Sequence, residues 1–241
     1  MKIKQKRMAS ATTPPTPTIS HQFPRIFIAR HGKTEWSENG RHTSISEIPL
    51  TEDGIKNVKI TSENLVGEDK LIDPKNIAKC IISPRIRTKQ TYDLLLGDHK
   101  KDISEDKLVF DEDVQEFKYG KYEGLKPKEI KALDPSFWIW TTGCPEGESA
   151  KDASDRADRV VDQIKKCHQE CINELQNNPT AQAKDILILS HGHFTRVLIA
   201  RFLGLPIDFG AKLVTNAGSI QVLGYQHKSL DEPSILALNL Q

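Results

Sequence analysis

Three short apolar runs, at residues 26–29, 77–82 and 186–189, constrain this chain more than any other feature. A strand with one face in water alternates apolar and polar residues; near-continuous Ile and Leu over four to six residues reads instead as a strand covered on both faces. The long stretches between the runs leave room for helical crossovers, which join parallel strands with right-handed connections. The expected architecture is therefore α/β: a three-layer α/β/α sandwich around a mostly parallel central sheet.

The helical segments carry their own start signals. Thr51 can cap a helix running to about Val66, with Ile55, Val58, Ser62 and Leu65 on its inward face. Ser149 and Asp152 form a capping box for a long helix to about Gln176, whose stripe is Ala153, Ala157, Val160, Val161, Ile164, Cys167, Cys171, Ile172 and Leu175. Two later runs, 218–223 and 235–240, read as further strands, and their short connection suits an antiparallel pair at one edge.

With 241 residues the chain has the length of one sizeable domain, expected over 25–241. Residues 1–24 are basic and rich in Ser, Thr and Pro, a composition expected to stay disordered. A transit peptide is also acid-free, but Pro14, Pro15 and Pro17 break the amphipathic helix such a signal needs, so a cytoplasmic location is preferred. No apolar run approaches the roughly 18 residues of a membrane span. Lys2, Lys4, Lys6, Arg7 and Arg25 outweigh the whole net charge of +1, so the remainder is net acidic. Such a surface argues against nucleic acid as a partner and for a small anion held in a local pocket. Cys80, Cys144, Cys167 and Cys171 follow no disulfide framework and read as reduced thiols.

In open parallel sheets the ligand crevice lies beyond the carboxyl ends of the strands. There the sequence reads Arg30-His31-Gly32, Ser83-Pro84-Arg85-Ile86-Arg87 and Ser190-His191-Gly192-His193. A single histidine or arginine at such a place is unremarkable, but two histidines with two or three arginines form an oxyanion pocket. Guanidinium groups offer planar, permanent charge to phosphate oxygens, and imidazole can be a neutral nucleophile near pH 7. Gly32 and Gly192 are expected to let a tetrahedral anion approach the backbone closely. Alternate histidines at 191 and 193 could share a metal ion, but carboxylates and cysteines at ligand spacing are missing, so no metal is expected.

Taken with the preceding strand, Ile28-Ala29-Arg30-His31-Gly32-Lys33-Thr34-Glu35 resembles the signature of the histidine phosphatase superfamily, the phosphoglycerate mutase-like group. Resemblance continues through Pro49-Leu50-Thr51, residues 83–91, Glu116 with Gly120 and Glu123-Gly124, Gly147-Glu148-Ser149 and Ser190-His191-Gly192. The resemblance implies that His31 attacks phosphorus, that Arg30, Arg87 and His191 hold the phosphoryl oxygens, and that Glu116 is the proton donor. No cofactor is implied. Thr43 and Tyr119 are further candidates for substrate contact, Arg85 reads as rim or surface, and Ser37 stands where many members carry Asn. The stretch 116–124, the turn at 143–148, His193 with Arg196, and Gly224-Tyr225-Gln226-His227 resemble the fungal sedoheptulose-bisphosphatase branch. That likeness makes a sugar bisphosphate the leading substrate, with Arg196 and His227 as candidates for its second phosphate, although residues 208–217 are shorter here than in that branch. A mutase and a silent phospho-ligand-binding protein stay open beside the phosphatase. The short insert between Gly124 and Gly147, with Trp138 and Trp140, favours hydrolysis, and the presence of both His31 and Glu116 weakens the silent reading. A homo-oligomer is neither required nor excluded.

Overall fold

The computed structural model describes residues 23–178 and 180–241. Its strands are β1 (Ile26–Arg30), β2 (Ile77–Ile82), β3 (Leu108–Phe110), β4 (Asp185–Ser190), β5 (Ile220–Tyr225) and β6 (Pro233–Leu240). The helices are α1 (Glu35–Asn39), α2 (Glu52–Leu65), α3 (Ile86–Leu96), α4 (Pro127–Leu133), α5 (Ile139–Thr142), α6 (Ala150–Asn177) and α7 (Gly192–Phe202). They build a single sheet in the order β3-β2-β4-β1-β5-β6. The four strands from β3 to β1 are mutually parallel, while β5 runs antiparallel to β1 and β6 antiparallel to β5. The three apolar runs are thus the centre of the sheet, and the last two strands are its antiparallel edge.

Alternate residues of each central strand feed opposite cores, which is why the runs are apolar but for Lys79, a half-buried residue of β2 whose ammonium donates to Gln163 Oε1 at 3.4 Å. Ile26 and Ile28 of β1 join Ile186 and Ile188 of β4 beneath α6 and α7. Phe27, Ala29, Leu187 and Leu189 face the other way, toward Val58, Tyr92, Leu95 and Leu96 of α2 and α3. Each fully buried Ile, Leu or Phe side chain contributes about 1.5–3 kcal/mol through removal from water. The capping box of α6 forms as its sequence indicates, with Ser149 Oγ accepting from the Asp152 amide at 3.0 Å. Its buried stripe also takes in Arg156 and His168, polar residues that an apolar pattern does not select.

Helix α2 starts at the expected cap, but its buried face is Gly54, Val58 and Thr61, rotated from the expected Ile55, Val58, Ser62 and Leu65. The reason is close approach to the β1 loop. A Cβ on Gly54 would lie 2.3 Å from the Lys33 carbonyl oxygen, and Thr61 Oγ1 donates to the Gly218 carbonyl at 3.1 Å. Most of the expected tail, residues 1–22, lies outside the described residues. Its last two positions belong to the folded body, Pro24 being buried and the Phe23 ring resting edge-on against Tyr225 at 5.6 Å. Among the described residues no helix is long and apolar enough to cross a membrane.

Candidate active site

The carboxyl ends of β1, β2 and β4 and the start of β5 deliver the expected residues to one place. His31 follows β1 and is buried, with its ring 5.2 Å from that of His191, which caps α7 after β4. His31 Nδ1 lies 2.8 Å from the Gly32 carbonyl oxygen, which can only accept. The proton therefore sits on Nδ1, and the Nε2 lone pair is the free nucleophilic position. Burial holds the His31 pKa well below the ordinary value, and the positive charges of Arg87 and Arg30 push the same way. A neutral, tautomerically fixed imidazole results.

Arg87 is fully buried, an unusual position for a guanidinium unless its donors are satisfied. Its Nη atoms donate to the carbonyls of Thr43, Ser44 and Ser46 at 2.9–3.2 Å, and Nε donates to His191 Nδ1 at 3.2 Å. His191 Nε2 is 2.7 Å from Ser83 Oγ, so both imidazole nitrogens are oriented. Since a guanidinium N–H can only donate, Nδ1 accepts, and the proton of neutral His191 sits on Nε2, where it donates to Ser83 Oγ. Arg30 donates from Nη1 to the Thr215 carbonyl at 2.6 Å, while its buried Nε has no hydrogen-bond partner among the described residues. That orphaned N–H is a donor available to an oxyanion. A Cβ on Gly192 would sit 3.2–3.3 Å from the Arg30 guanidinium, so the glycine admits this arginine.

Glu116 lies in the loop after β3 and is buried. Oε1 accepts from the amides of Phe117 and Phe194 at 2.8 and 2.9 Å, and Oε2 accepts from the His193 amide at 3.1 Å. The carboxyl is thereby seated on the first turn of α7, next to His191, and Oε2 keeps a lone pair for proton transfer. Its charge opposes the effect of burial on Arg30, Arg87 and Arg196, which places it among the site cations.

A second wall stands beside this group. Tyr119 Oη is 2.7 Å from His193 Nδ1, and burial drives the tyrosine pKa well up and the histidine pKa well down. The phenol is therefore protonated and donates to Nδ1, which leaves His193 Nε2–H as a donor. His42 stacks on His193 at 5.6 Å, Trp140 lies 5.4 Å from the same ring, and the Arg196 guanidinium lies 4.8 Å from the Trp140 ring centroid. Arg196, expected as a second cation, thus lies beside this wall, where it donates to the Gly192 and Leu213 carbonyls at 3.3 and 3.4 Å and packs on Trp140 of the short insert. Sequence reading missed His42 beside the site, placed Trp140 only within the covering insert, and gave His193 no role beyond a metal ligand and a likeness to the bisphosphatase branch. No periodicity marks them, because they come from loops and a one-turn helix.

Other expectations need correction. His227 lies beyond the far end of β5, because β5 runs antiparallel to β1. Tyr225, two residues before it, is already six residues along from Ser219, roughly 20 Å at about 3.3 Å per strand residue. Exposed and paired with Glu232 at 2.6 Å, His227 takes no part in this site. Gly32 does not offer its amide to an anion, since that N–H donates to Thr91 Oγ1 at 3.0 Å. Thr43 directs its hydroxyl to the Arg41 carbonyl at 3.2 Å and lends its own carbonyl to Arg87. Ser37 completes the α1 capping box with Thr34. Arg85 is half-buried rather than free, bound to Gln115 and to Glu47.

The family model of the histidine phosphatase superfamily (branch 1) matches residues 26–240. A sedoheptulose 1,7-bisphosphatase of Saccharomyces cerevisiae is 31% identical, over 88% of this chain and 91% of its own length. An acid phosphatase of Mycobacterium tuberculosis is 36% identical, over 84% of this chain and 87% of its own. Among solved structures, a functionally characterised open reading frame of Mycobacterium tuberculosis superposes with a TM-score of 0.72 at 30% identity, covering 90% of this chain and 98% of that one.

Proposed function

The chain belongs to the histidine phosphatase superfamily and is a phosphoric monoester hydrolase, and from that premise we propose that it cleaves small sugar phosphates, sugar bisphosphates first, through a phosphohistidine on His31. His31 Nε2 attacks phosphorus in line, the ester P–O bond breaks, and Glu116 in its acid form protonates the departing alkoxide. Water then attacks the phosphohistidine, Glu116 as carboxylate accepts its proton, and cleavage of the P–N bond releases inorganic phosphate and neutral His31. Arg30, Arg87 and His191 surround the reacting group with positive charge and oriented dipoles, which stabilise the equatorial oxygens in both transfers. The reaction as written balances without a metal ion.

The observation that carries this reading is the 2.8 Å bond from His31 Nδ1–H to the Gly32 carbonyl, which leaves Nε2 unprotonated in a buried cationic pocket. The sugar bisphosphate rests on the likeness to the yeast bisphosphatase and on Arg196, a second cation set beside Tyr119, His193 and Trp140. Purified wild type and His31→Ala are incubated in EDTA with sugar mono- and bisphosphates, and released phosphate is measured. Release by wild type alone, with an acid-labile, alkali-stable phosphoryl label on His31, is the expected result. A bisphosphate-dependent isomerisation without release would make the protein a mutase, and inactivity toward every ester would end the hydrolytic reading.

A further inference from the structure

Four consecutive carbonyls, those of residues 113–116, are bound by side chains instead of by secondary structure. Arg156 on α6 takes three of them: Nη1 donates to Asp113 and Gln115 at 2.9 and 2.8 Å, and Nη2 donates to Glu116 at 3.3 Å. Ser190 Oγ takes the fourth, Val114, at 2.9 Å. The remaining Arg156 donors form a bidentate pair with Glu148, Nε to Oε1 at 2.8 Å and Nη2 to Oε2 at 2.7 Å. Glu148 in turn accepts from the Lys118 amide at 2.9 Å, and its own amide donates to the Lys118 carbonyl at 2.9 Å. Both partners are buried, so every donor of the guanidinium has an acceptor inside the protein.

The same guanidinium lies 4.1 Å from the centre of the Phe194 ring, and the Phe194 amide is one of the three that hold the Glu116 carboxyl. Arg156 thus touches both ends of the proposed acid: the main chain that carries Glu116 and the residue that orients its oxygens. We propose that the Arg156–Glu148 pair is the positioning device of the proton donor, fixing where Glu116 meets the leaving group; this rests on the reading of Glu116 given above. A buried ion pair is no general source of stability. Its planar fork is suited to immobilising a loop that has no ladder of its own.

The test uses the difference between leaving groups. An alkoxide needs a proton as it departs, whereas 2,4-dinitrophenolate does not, so misplacing the acid slows the first reaction alone. Single-turnover release of the alcohol from a sugar phosphate, and of the phenolate from 2,4-dinitrophenyl phosphate, is measured for wild type, Arg156→Lys, Glu148→Gln and Glu116→Gln. General acid catalysis is worth about 10²–10⁴-fold. Glu116→Gln is expected to lose roughly that factor on the sugar phosphate and less than about threefold on the aryl ester. Arg156→Lys keeps a charge for Glu148 but not the fork, and is expected to lose about 10–100-fold on the sugar phosphate with the aryl rate likewise nearly unchanged. Equal losses on both substrates, or none on either, would overturn the positioning role while Glu116→Gln still showed its selective loss. Without that selective loss in Glu116→Gln, the acid assignment itself falls. Should Arg156→Lys fail to fold, Glu148→Gln decides by the same ratio.

Discussion

At the scale of single residues, the site is defined by which protons are fixed and which close approaches are tolerated. In the proposed reaction the neutral form of His31 is the nucleophile, and its pKa is held well below the ordinary 6.5 by burial and by Arg87 and Arg30. Lowering the pKa of a base extends its active form to lower pH. An unshifted histidine would lose about threefold in its neutral fraction between pH 7 and pH 6. Here kcat/KM for 2,4-dinitrophenyl phosphate, whose leaving group needs no proton from Glu116, is expected, once corrected for ionisation of the substrate phosphate, to stay level across that interval and to fall only further down. A midpoint near 6.5 in that profile would show that His31 is not shielded as the structure has it. Gly192 supplies a second test, since a Cβ there would lie 3.2–3.3 Å from the Arg30 guanidinium and displace it by a few tenths of an ångström. Gly192→Ala is expected to cost about tenfold in kcat/KM, less than the roughly 10²–10³-fold of losing an oxyanion donor outright, because the guanidinium is shifted and not removed. Its melting temperature should move by only a few degrees, since the residue lies within the first turn of α7 and Ala is a good helix former. An unchanged kcat/KM would mean that Arg30 is not placed by the room that Gly192 leaves.

Among the elements, the edge strand β6 matters more to the site than its position suggests. Asn239 adopts φ +59° and directs its side chain away from the ladder to the preceding loop. Oδ1 accepts from the Asn216 amide at 2.7 Å and the Ser219 hydroxyl at 3.0 Å, and Nδ2 donates to the Val214 carbonyl at 2.8 Å. That loop contains Thr215, whose carbonyl anchors Arg30. Asn239→Ala removes these bonds and places Ala in a left-handed conformation, for a combined cost of about 2–3 kcal/mol. Urea unfolding should register that loss, and kcat/KM should fall with it by an order of magnitude; a loss of stability with intact kinetics would separate the loop from Arg30. Neither the turn at Asn239 nor its reach was legible in the sequence, where 235–240 is simply an apolar run. The central strands were legible because burial on both faces leaves few polar positions to obscure them, Lys79 of β2 being one. Helix α2 was misphased because two of its buried positions are Gly54 and Thr61, chosen for proximity to a loop and for a hydrogen bond. The Arg156–Glu148 pair was invisible for a related reason: a search for apolar periodicity counts a charged residue on α6 as solvent-facing.

Over the whole molecule, the sheet separates a catalytic end from an end that only holds the fold together, and strand direction decides which residues belong to which. His227 was misassigned because proximity to β5 in sequence carries no information about which way β5 runs. That His31, Arg87 and His191 lie together was legible because parallel strands deliver the residues at their carboxyl ends to the same edge. The non-catalytic end has its own titratable group. His168 of α6 is fully buried, 2.8 Å from Tyr225 Oη, in an aromatic cluster with Phe202 and Phe23. Burial lowers its pKa to about 4, against smaller raising effects of Asp185 and the Arg25 backbone. In the unfolded chain the same histidine titrates near 6.5, so as pH falls below that value the unfolded state gains a proton that the folded state refuses. Stability is therefore intact above pH 6.5, declines between 6.5 and about 4, and levels off once the folded form also protonates. The span corresponds to roughly 3 kcal/mol at 1.36 kcal/mol per pH unit. His168→Gln can keep a hydrogen bond to Tyr225 without titrating, and comparison of urea midpoints from pH 7.5 to pH 4.5 isolates the effect from every other carboxylate and histidine. The difference in stability between wild type and variant should shrink or reverse in favour of the variant as pH falls, with kcat/KM at pH 7.5 unaffected because His168 lies at the opposite end of the sheet from His31. Parallel pH profiles would mean that His168 titrates alike in the folded and the unfolded chain, so that the fold does not hold it neutral.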